Sequence, residues 1–461
     1  MPNATFQIFI HVLLIIFLKF DTMILPNKFK YLALGACSLI LLNCSGQNNQ
    51  QPTPDSNRDS NQQQRIIPAA ERINVYLPLI KGKRIGIFAN HTSMVGNTHL
   101  VDTLRKLGVD IRVIFGPEHG FRGTVNDGEK IGNYIDDKTG IPVVSLYGSK
   151  YKPTAEDLKD VDIMIFDIQD VGVRFYTFIS SLQYFMEAAF ELGKPLMVLD
   201  RPNPNGFYVD GPILDTGYKS FVGMQPVPVV YGMTIAEYAF LIAGEKWLSE
   251  KANRRYDYYR TAAENSADTP FHFQVIKCQN YTHKSKYILP VKPSPNLPEI
   301  QSIYVYPSTC YFEGTALSEG RGTEKPFQVF GHPSLSKNLY AFTPRPREGA
   351  TVAKLMNQTC YGWNIHNTPE NILKELDGRI QLKWLLEAYK QFPEKDSFFL
   401  KPKKENASPQ EYFFNKLAGS DKLMQQIKDG KSEKEIRKSW EADLIKFKVI
   451  RKKYLLYEDF E

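Results

Sequence analysis

Cysteine is scarce in this chain: five in 461 residues, with Cys278, Cys310 and Cys360 far apart and no CxxC among them. That excludes a disulfide-stapled scaffold and a cysteine-based zinc site. Long apolar runs are also missing. A membrane-crossing helix needs about 20 apolar residues; residues 6–20 are interrupted by His11 and Lys19, and residues 31–42 are too few. There is no HExxH and no phosphate-cradling GxGxxG. Basic residues exceed acidic ones by 57 to 50, and the surplus sits in short runs at 401–404 and 446–453. Such runs read as solvated helix faces, so no nucleic-acid partner is expected. What remains, 43% hydrophobic and 13% aromatic content, is ample for sizeable cores in two or three domains.

The first 44 residues have the character of a leader. Lys28 and Lys30 precede the apolar run 31–42, which ends in "LLNCSG". A positive segment, a short apolar core and then a cysteine form the pattern of a lipoprotein signal peptide, with Cys44 as the lipidated first mature residue. The stretch from Met23 to Cys44 is a complete leader by itself, and Cys37 has too little apolar sequence before it to compete. Residues 45–65, rich in Gln, Asn, Ser and Pro, have nothing to bury and read as a flexible tether. The expectation is a lipid-anchored protein of the cell envelope, facing the periplasm or on the outer membrane.

From Lys83 a unit repeats: a short β-branched run, a polar turn, a helical pattern. The runs are "RIGIFAN" (84–90), "DIRVIFG" (110–116), "IPVVSLY" (141–147), "VDIMIFDIQ" (161–169) and "KPLMVLD" (194–200). Leu100, Leu104 and Leu107, and then Phe178, Leu182, Phe185 and Ala189, recur at helical spacing. Continuous rather than alternating hydrophobicity in strands predicts a mostly parallel sheet covered on both faces, a doubly wound α/β domain over residues 66–288. The proline-rich stretch from Leu289 predicts an extended crossing segment. A smaller α+β domain over 289–461 follows, with helices expected at 371–392 and 411–429.

In an open parallel sheet, ligands bind outside the carboxyl ends of the strands. Each run here ends in polar groups: Asn90 and His91; Glu118 and His119; Tyr147; Asp167, Gln169 and Asp170, with Arg174 and Tyr176 just beyond; Asp200, Arg201 and Asn203. Any one set has a bland explanation, since Asp and Asn favour helix caps and turns. Glu118 stands out, because Gly116, Pro117 and Gly120 frame it in a stiff loop at an apolar strand end, the setting of a general acid. The bland alternative is a carboxylate paired to Arg122 or to a loop N–H. His119, adjacent in the chain, is expected to orient substrate or loop. In the second domain, "TCYFEGTALSEGRGTEKPF" places Glu313, Glu319 and Arg321 in a glycine-rich loop suited to closing a cleft. Arg174, Arg201 and Arg321 each have the fork that grips a carboxylate.

With these motifs in view, the chain resembles the NamZ-type exo-β-N-acetylmuramidases. The likeness lies in "GIFANHTS", "FGPEHGFRG", "FDIQDVGVRFYTF", "LDRPNPNG", "PSPNLP" and "FEGTALSEGRGTEKPFQ", which together cover nearly the whole chain after the tether. The resemblance implies a Rossmann-like first domain and a smaller second one with the active cleft between them. It also implies release of N-acetylmuramic acid from the non-reducing end of peptidoglycan fragments, without metal or other cofactor, and Glu118 matches the family's glutamate. Two other readings stay open at this point. One is a metal-dependent hydrolase built on His91, His119, Asp167 and Asp200; the other is a lipoprotein that captures wall fragments without cleaving them. If the leader reading is right, Cys44→Ser abolishes fatty-acid labelling and moves the protein to the soluble fraction; labelling that survives the substitution contradicts it.

Overall fold

The computed structural model describes residues 64–118, 120–123, 132–265 and 272–461. The leader with Cys44, nearly all of the tether, and His119 lie outside the described residues.

All five apolar runs form strands. In chain order they and their neighbours are β1 (Arg84–Ala89), a small hairpin of β2 (Met94–Val95) and β3 (Thr98–His99), β4 (Asp110–Gly116), β5 (Tyr134–Ile135), β6 (Pro142–Ser145), β7 (Ile163–Asp167), β8 (Leu196–Leu199) and β9 (Phe273–Ile276). The main sheet has the order β5-β6-β4-β1-β7-β8-β9 and is parallel except for β5 against β6. The chain builds outward from β1 through β4 to β6, then returns to the other side of β1 with β7. Strand order thus reverses around β1, which opens a crevice at the carboxyl ends. Side chains alternate across the sheet as the pleat demands. Ile85, Ile87 and Ala89 pack with Leu100 and Leu104 on one face, and Phe88, Phe115 and Phe166 pack with Leu182 and Phe185 of the helix Phe178–Glu191 on the other.

Four sequence expectations are corrected. Leu107 is 47% exposed, because the helix Leu100–Lys106 ends just before it and the chain turns at Gly108 towards β4. The expected helix 371–392 is two, Pro369–Leu376 and Lys383–Gln391, broken where Asp377 takes a left-handed conformation. Likewise 411–429 divides into Phe413–Ala418 and Lys422–Lys428 at Gly419, whose φ of 81° favours glycine. The proline-rich stretch is not an extended segment: bends and turns run up to Glu299, with the Leu297 N–H donating to the Ser294 carbonyl at 3.0 Å. Ile300–Thr309 is a buried helix with Pro307 in its last turn. The Ile303 carbonyl, which Pro307 leaves without a helical donor, accepts instead from Asn205 Nδ2 at 3.2 Å.

The later, smaller part carries an antiparallel sheet of β10 (Val329–His332), β11 (Tyr340–Phe342) and β12 (Cys360–Asn364), with β12 central. Its final helix, Glu433–Lys452, returns to the first part: Arg451, fully buried, donates to the Gly232 carbonyl at 2.7 and 2.9 Å. One apolar cluster runs from Phe166 through Tyr231 and Tyr311 to Leu417 and Phe447, and residues 64–461 form a single compact unit.

Arg174 shows how the two parts are joined. Its buried guanidinium donates to the carbonyls of Pro212 at 2.7 Å, Val227 at 2.8 Å and Leu417 at 2.8 Å. Arg174→Met leaves three buried acceptors without a donor, each worth about 1–3 kcal/mol. The denaturation midpoint in urea should fall accordingly; an unchanged midpoint would contradict this role.

Candidate active site

Between strand ends and the second part lies a cleft of about 1000 Å³. Three of the five strand ends reach its lining: Glu118 after β4, Tyr147 after β6, and Tyr176 after β7. The second part contributes Glu313, Glu319, Arg321 and Lys354.

The loop that carries Glu118 is held from both sides. Gly120 adopts φ 73°, open to glycine, and its N–H donates to the Pro117 carbonyl at 3.0 Å, closing a turn around Glu118. Phe121 is fully buried and meets the His99 ring at 4.9 Å, which anchors the loop to the hairpin. Arg122 is committed elsewhere: its Nε and Nη2 grip Asp136 at 3.0 and 2.8 Å, and its guanidinium lies 4.4 Å from the Phe121 ring centroid. Glu118 is thus a half-buried carboxyl on a fixed turn facing the cleft.

The charged groups from the second part form one network. Arg321 Nη1 bonds Glu313 at 2.6 Å and lies 3.5 Å from Glu319, whose other oxygen is 2.8 Å from Lys354 Nζ. Lys354 also donates to the Phe312 and Thr315 carbonyls at 2.7 and 3.0 Å, so its ammonium is fixed. Burial raises the Glu313 carboxyl above its ordinary range, with Arg321 opposing. Burial acts on Glu319 too, but Lys354 and Arg321 together outweigh it and hold that carboxyl low. Two carboxyls in one cleft with opposed proton affinities are the arrangement from which acid and base roles are drawn.

Of the remaining sequence candidates all but Tyr176 are absent from the lining and bond to groups of their own fold, with the buried Asn90 Nδ2 and Asp170 Oδ1 left without a hydrogen bond among the described residues. Asp167 and Arg201 form a bidentate pair at 2.7 and 2.8 Å with almost no exposure. Asn90 Oδ1 accepts from the Thr92 N–H and hydroxyl at 2.9 and 2.6 Å, and His91 Nε2 meets the Lys292 carbonyl at 2.9 Å. Gln169 donates to the Asp170 and Pro202 carbonyls, both at 2.8 Å. Asp170 accepts from the Gly172 N–H at 2.7 Å and from the Tyr231 hydroxyl, and burial pushes its carboxyl up to about 6. Asn203 bridges the Asn205 N–H and the Met233 carbonyl, at 2.8 Å each. Asp200 accepts from the N–H groups of Arg201 and Ala236 and from the Tyr457 hydroxyl at 2.5 Å. Arg174 ties the two parts together and is absent from the lining. Tyr176 does line the cleft, and its hydroxyl donates to the Pro293 carbonyl at 2.8 Å. Among the described residues no three His, Cys, Asp or Glu side chains converge to hold a metal ion, and His91, Asp167 and Asp200 each face a different partner.

Sequence reasoning missed Lys354, Tyr151, Phe221 and Tyr306 of the lining. Lys354 sits in "TVAKLMN", which has no motif to flag it. Tyr151 and Phe221 look like ordinary loop aromatics until the fold brings them together.

Residues 85–301 match the family model described as exo-beta-N-acetylmuramidase NamZ, N-terminal, and residues 304–457 match its C-terminal counterpart. The peptidoglycan beta-N-acetylmuramidase NamZ of Bacillus subtilis is 39% identical over 409 residues, covering 83% of this chain and 89% of that one. Two crystal structures of DUF1343 family proteins from Bacteroides fragilis are similar. One is 44% identical with a TM-score of 0.73, the other 27% identical with a TM-score of 0.69; each comparison covers 86% of this chain and 99% of the other.

The buried Asp200 makes stability pH-dependent. Burial, reinforced by Glu237 and only partly offset by hydrogen bonds, pushes its carboxyl from 3.8 up to about 7. A carboxyl raised in the fold holds its proton more tightly folded than unfolded. Its contribution is therefore complete below the unfolded value and is lost as pH rises through the folded one. Asp200→Asn should flatten the fall in melting temperature between pH 4 and 7; an unaltered slope would contradict the assignment.

Proposed function

The chain belongs to the exo-β-N-acetylmuramidase NamZ family, and we propose that it hydrolyses the bond joining a non-reducing-end N-acetylmuramic acid to peptidoglycan fragments, with Glu118 as the proton donor. The observation that supports this best is that the held carboxyl of Glu118 lines the same cleft as the Glu313–Arg321–Glu319–Lys354 network.

In this reading, Glu118 protonates the glycosidic oxygen as the bond from the anomeric carbon breaks. The leaving sugar departs as an alcohol, and water supplies the hydroxyl to the anomeric carbon. Muramic acid differs from other wall sugars by its lactyl carboxylate. Arg321 and Lys354 are the cations of the lining and the natural partners for that group. The substrate's own 2-acetamido oxygen is suited to assist at the anomeric carbon. Of the residues considered for orienting it, Asp167 and Asp170 are enclosed, whereas Tyr176 lines the cleft. The leader reading adds a location: held by lipid at Cys44, the enzyme would work in the cell envelope on released wall fragments.

Glu118→Gln keeps the size of the side chain and removes its acid. With a chromogenic N-acetylmuramic acid glycoside, its kcat should fall by about 100- to 10,000-fold while the protein stays folded. Near-normal turnover by the variant would remove Glu118 from the reaction.

A further inference from the structure

One wall of the cleft has no part in the chemistry above. Tyr147 and Tyr151, which follow β6, and Phe221 line it together. The Tyr151 and Phe221 ring centroids are 4.5 Å apart, and Tyr147 stands 6.4 and 6.2 Å from them. Tyr184, from the helix Phe178–Glu191, stacks behind both at 6.0 and 6.4 Å. All four rings are half-buried and lie outside the apolar cluster of the core, so core packing does not account for them. The lysines nearest in sequence are neutralised: Lys150 pairs with Asp157, and Lys152 with Glu187 and Glu191. Among the described residues this wall is therefore aromatic, whereas the ionic groups of the lining, Arg321 and Lys354 with their partners Glu313 and Glu319, come from the second part.

We propose that Tyr147, Tyr151 and Phe221 form the subsite for the leaving sugar, a neutral N-acetylated hexopyranose whose apolar C–H face stacks on the rings. The proposal rests on the function given above. The two sugars across the broken bond differ in polarity, and so do the two linings: the carboxylate-bearing unit suits the ionic network of Arg321, Lys354, Glu313 and Glu319, and the uncharged unit suits the aromatic wall. A volume of about 1000 Å³ is at the upper end of the range for small-ligand sites, which leaves room for a second pyranose beside the first. Flat, half-exposed rings backed by a further ring are pre-set for stacking and lose little freedom on binding.

The test compares Tyr151→Ala and Phe221→Ala with the parent protein on the β-1,4-linked disaccharide of N-acetylmuramic acid and N-acetylglucosamine. Inhibition by free N-acetylmuramic acid serves as the second readout. Each substitution should lower kcat/KM for the disaccharide roughly tenfold, mostly through KM, as expected for one lost stacking contact. The inhibition constant of free N-acetylmuramic acid should stay as in the parent, and Tyr151→Phe should keep parental kinetics. Disaccharide kinetics unchanged in both alanine variants would overturn the subsite, as would an equal loss of inhibition by the free acid. A parent protein that leaves the disaccharide intact would overturn the function on which the subsite depends.

Discussion

An ion pair shut away from water, Asp167 with Arg201, is the constraint around which the strand ends are arranged. Asp167 closes β7 and lies opposite Ala89 of β1, while Arg201 comes just after β8. Two parallel hydrogen bonds join them, and Arg201 Nη2 also donates to the Met94 carbonyl of the hairpin at 3.1 Å. Ser93 Oγ adds a bond to the Asp167 carbonyl at 2.6 Å. Three strand ends are thereby locked at the switch of strand order. Burial works against both charges, and removing either partner would strand the other in an apolar interior, at a cost of about 3–5 kcal/mol. With these ends closed, the groups that remain at the rim, Glu118 foremost, are those the sheet can present.

The fold was legible because a doubly covered parallel strand leaves a strong mark, an unbroken apolar run, and each of the five runs lies on a strand. The second part was less so. Its helices are short and broken by Asp377 and Gly419, and a left-handed Asp gives no advance notice. The helix Ile300–Thr309 hid behind its prolines because the compensation for Pro307 comes from Asn205, nearly a hundred positions away in the chain.

The site divides in the same way. A glycine- and proline-framed carboxyl at a strand end is a local signal, and Glu118 does line the cleft, as do Tyr176, Glu313, Glu319 and Arg321. Polar residues at strand ends look identical in sequence whether they face a ligand or a neighbouring backbone. Gln169, Asn203 and Arg174 satisfy main-chain groups from distant segments, which one-dimensional patterns do not show, whereas Asn90 closes a local turn on the Thr92 N–H. The converse holds for Lys354 and the aromatic wall, which become a site only through folding.

The account gives the cleft three parts with distinct chemistry: a proton donor on a rigid turn, a network able to receive a carboxylate, and an aromatic face for a neutral sugar. The most direct measurement is a crystal structure with the disaccharide's sulfur-linked analogue, in which the bridging atom resists hydrolysis. The account expects that atom within about 3 to 3.5 Å of the Glu118 carboxyl, with the lactyl carboxylate against Arg321 and Lys354. A ligand bound elsewhere, or a Glu118 carboxyl turned away from the bridging atom, would contradict it.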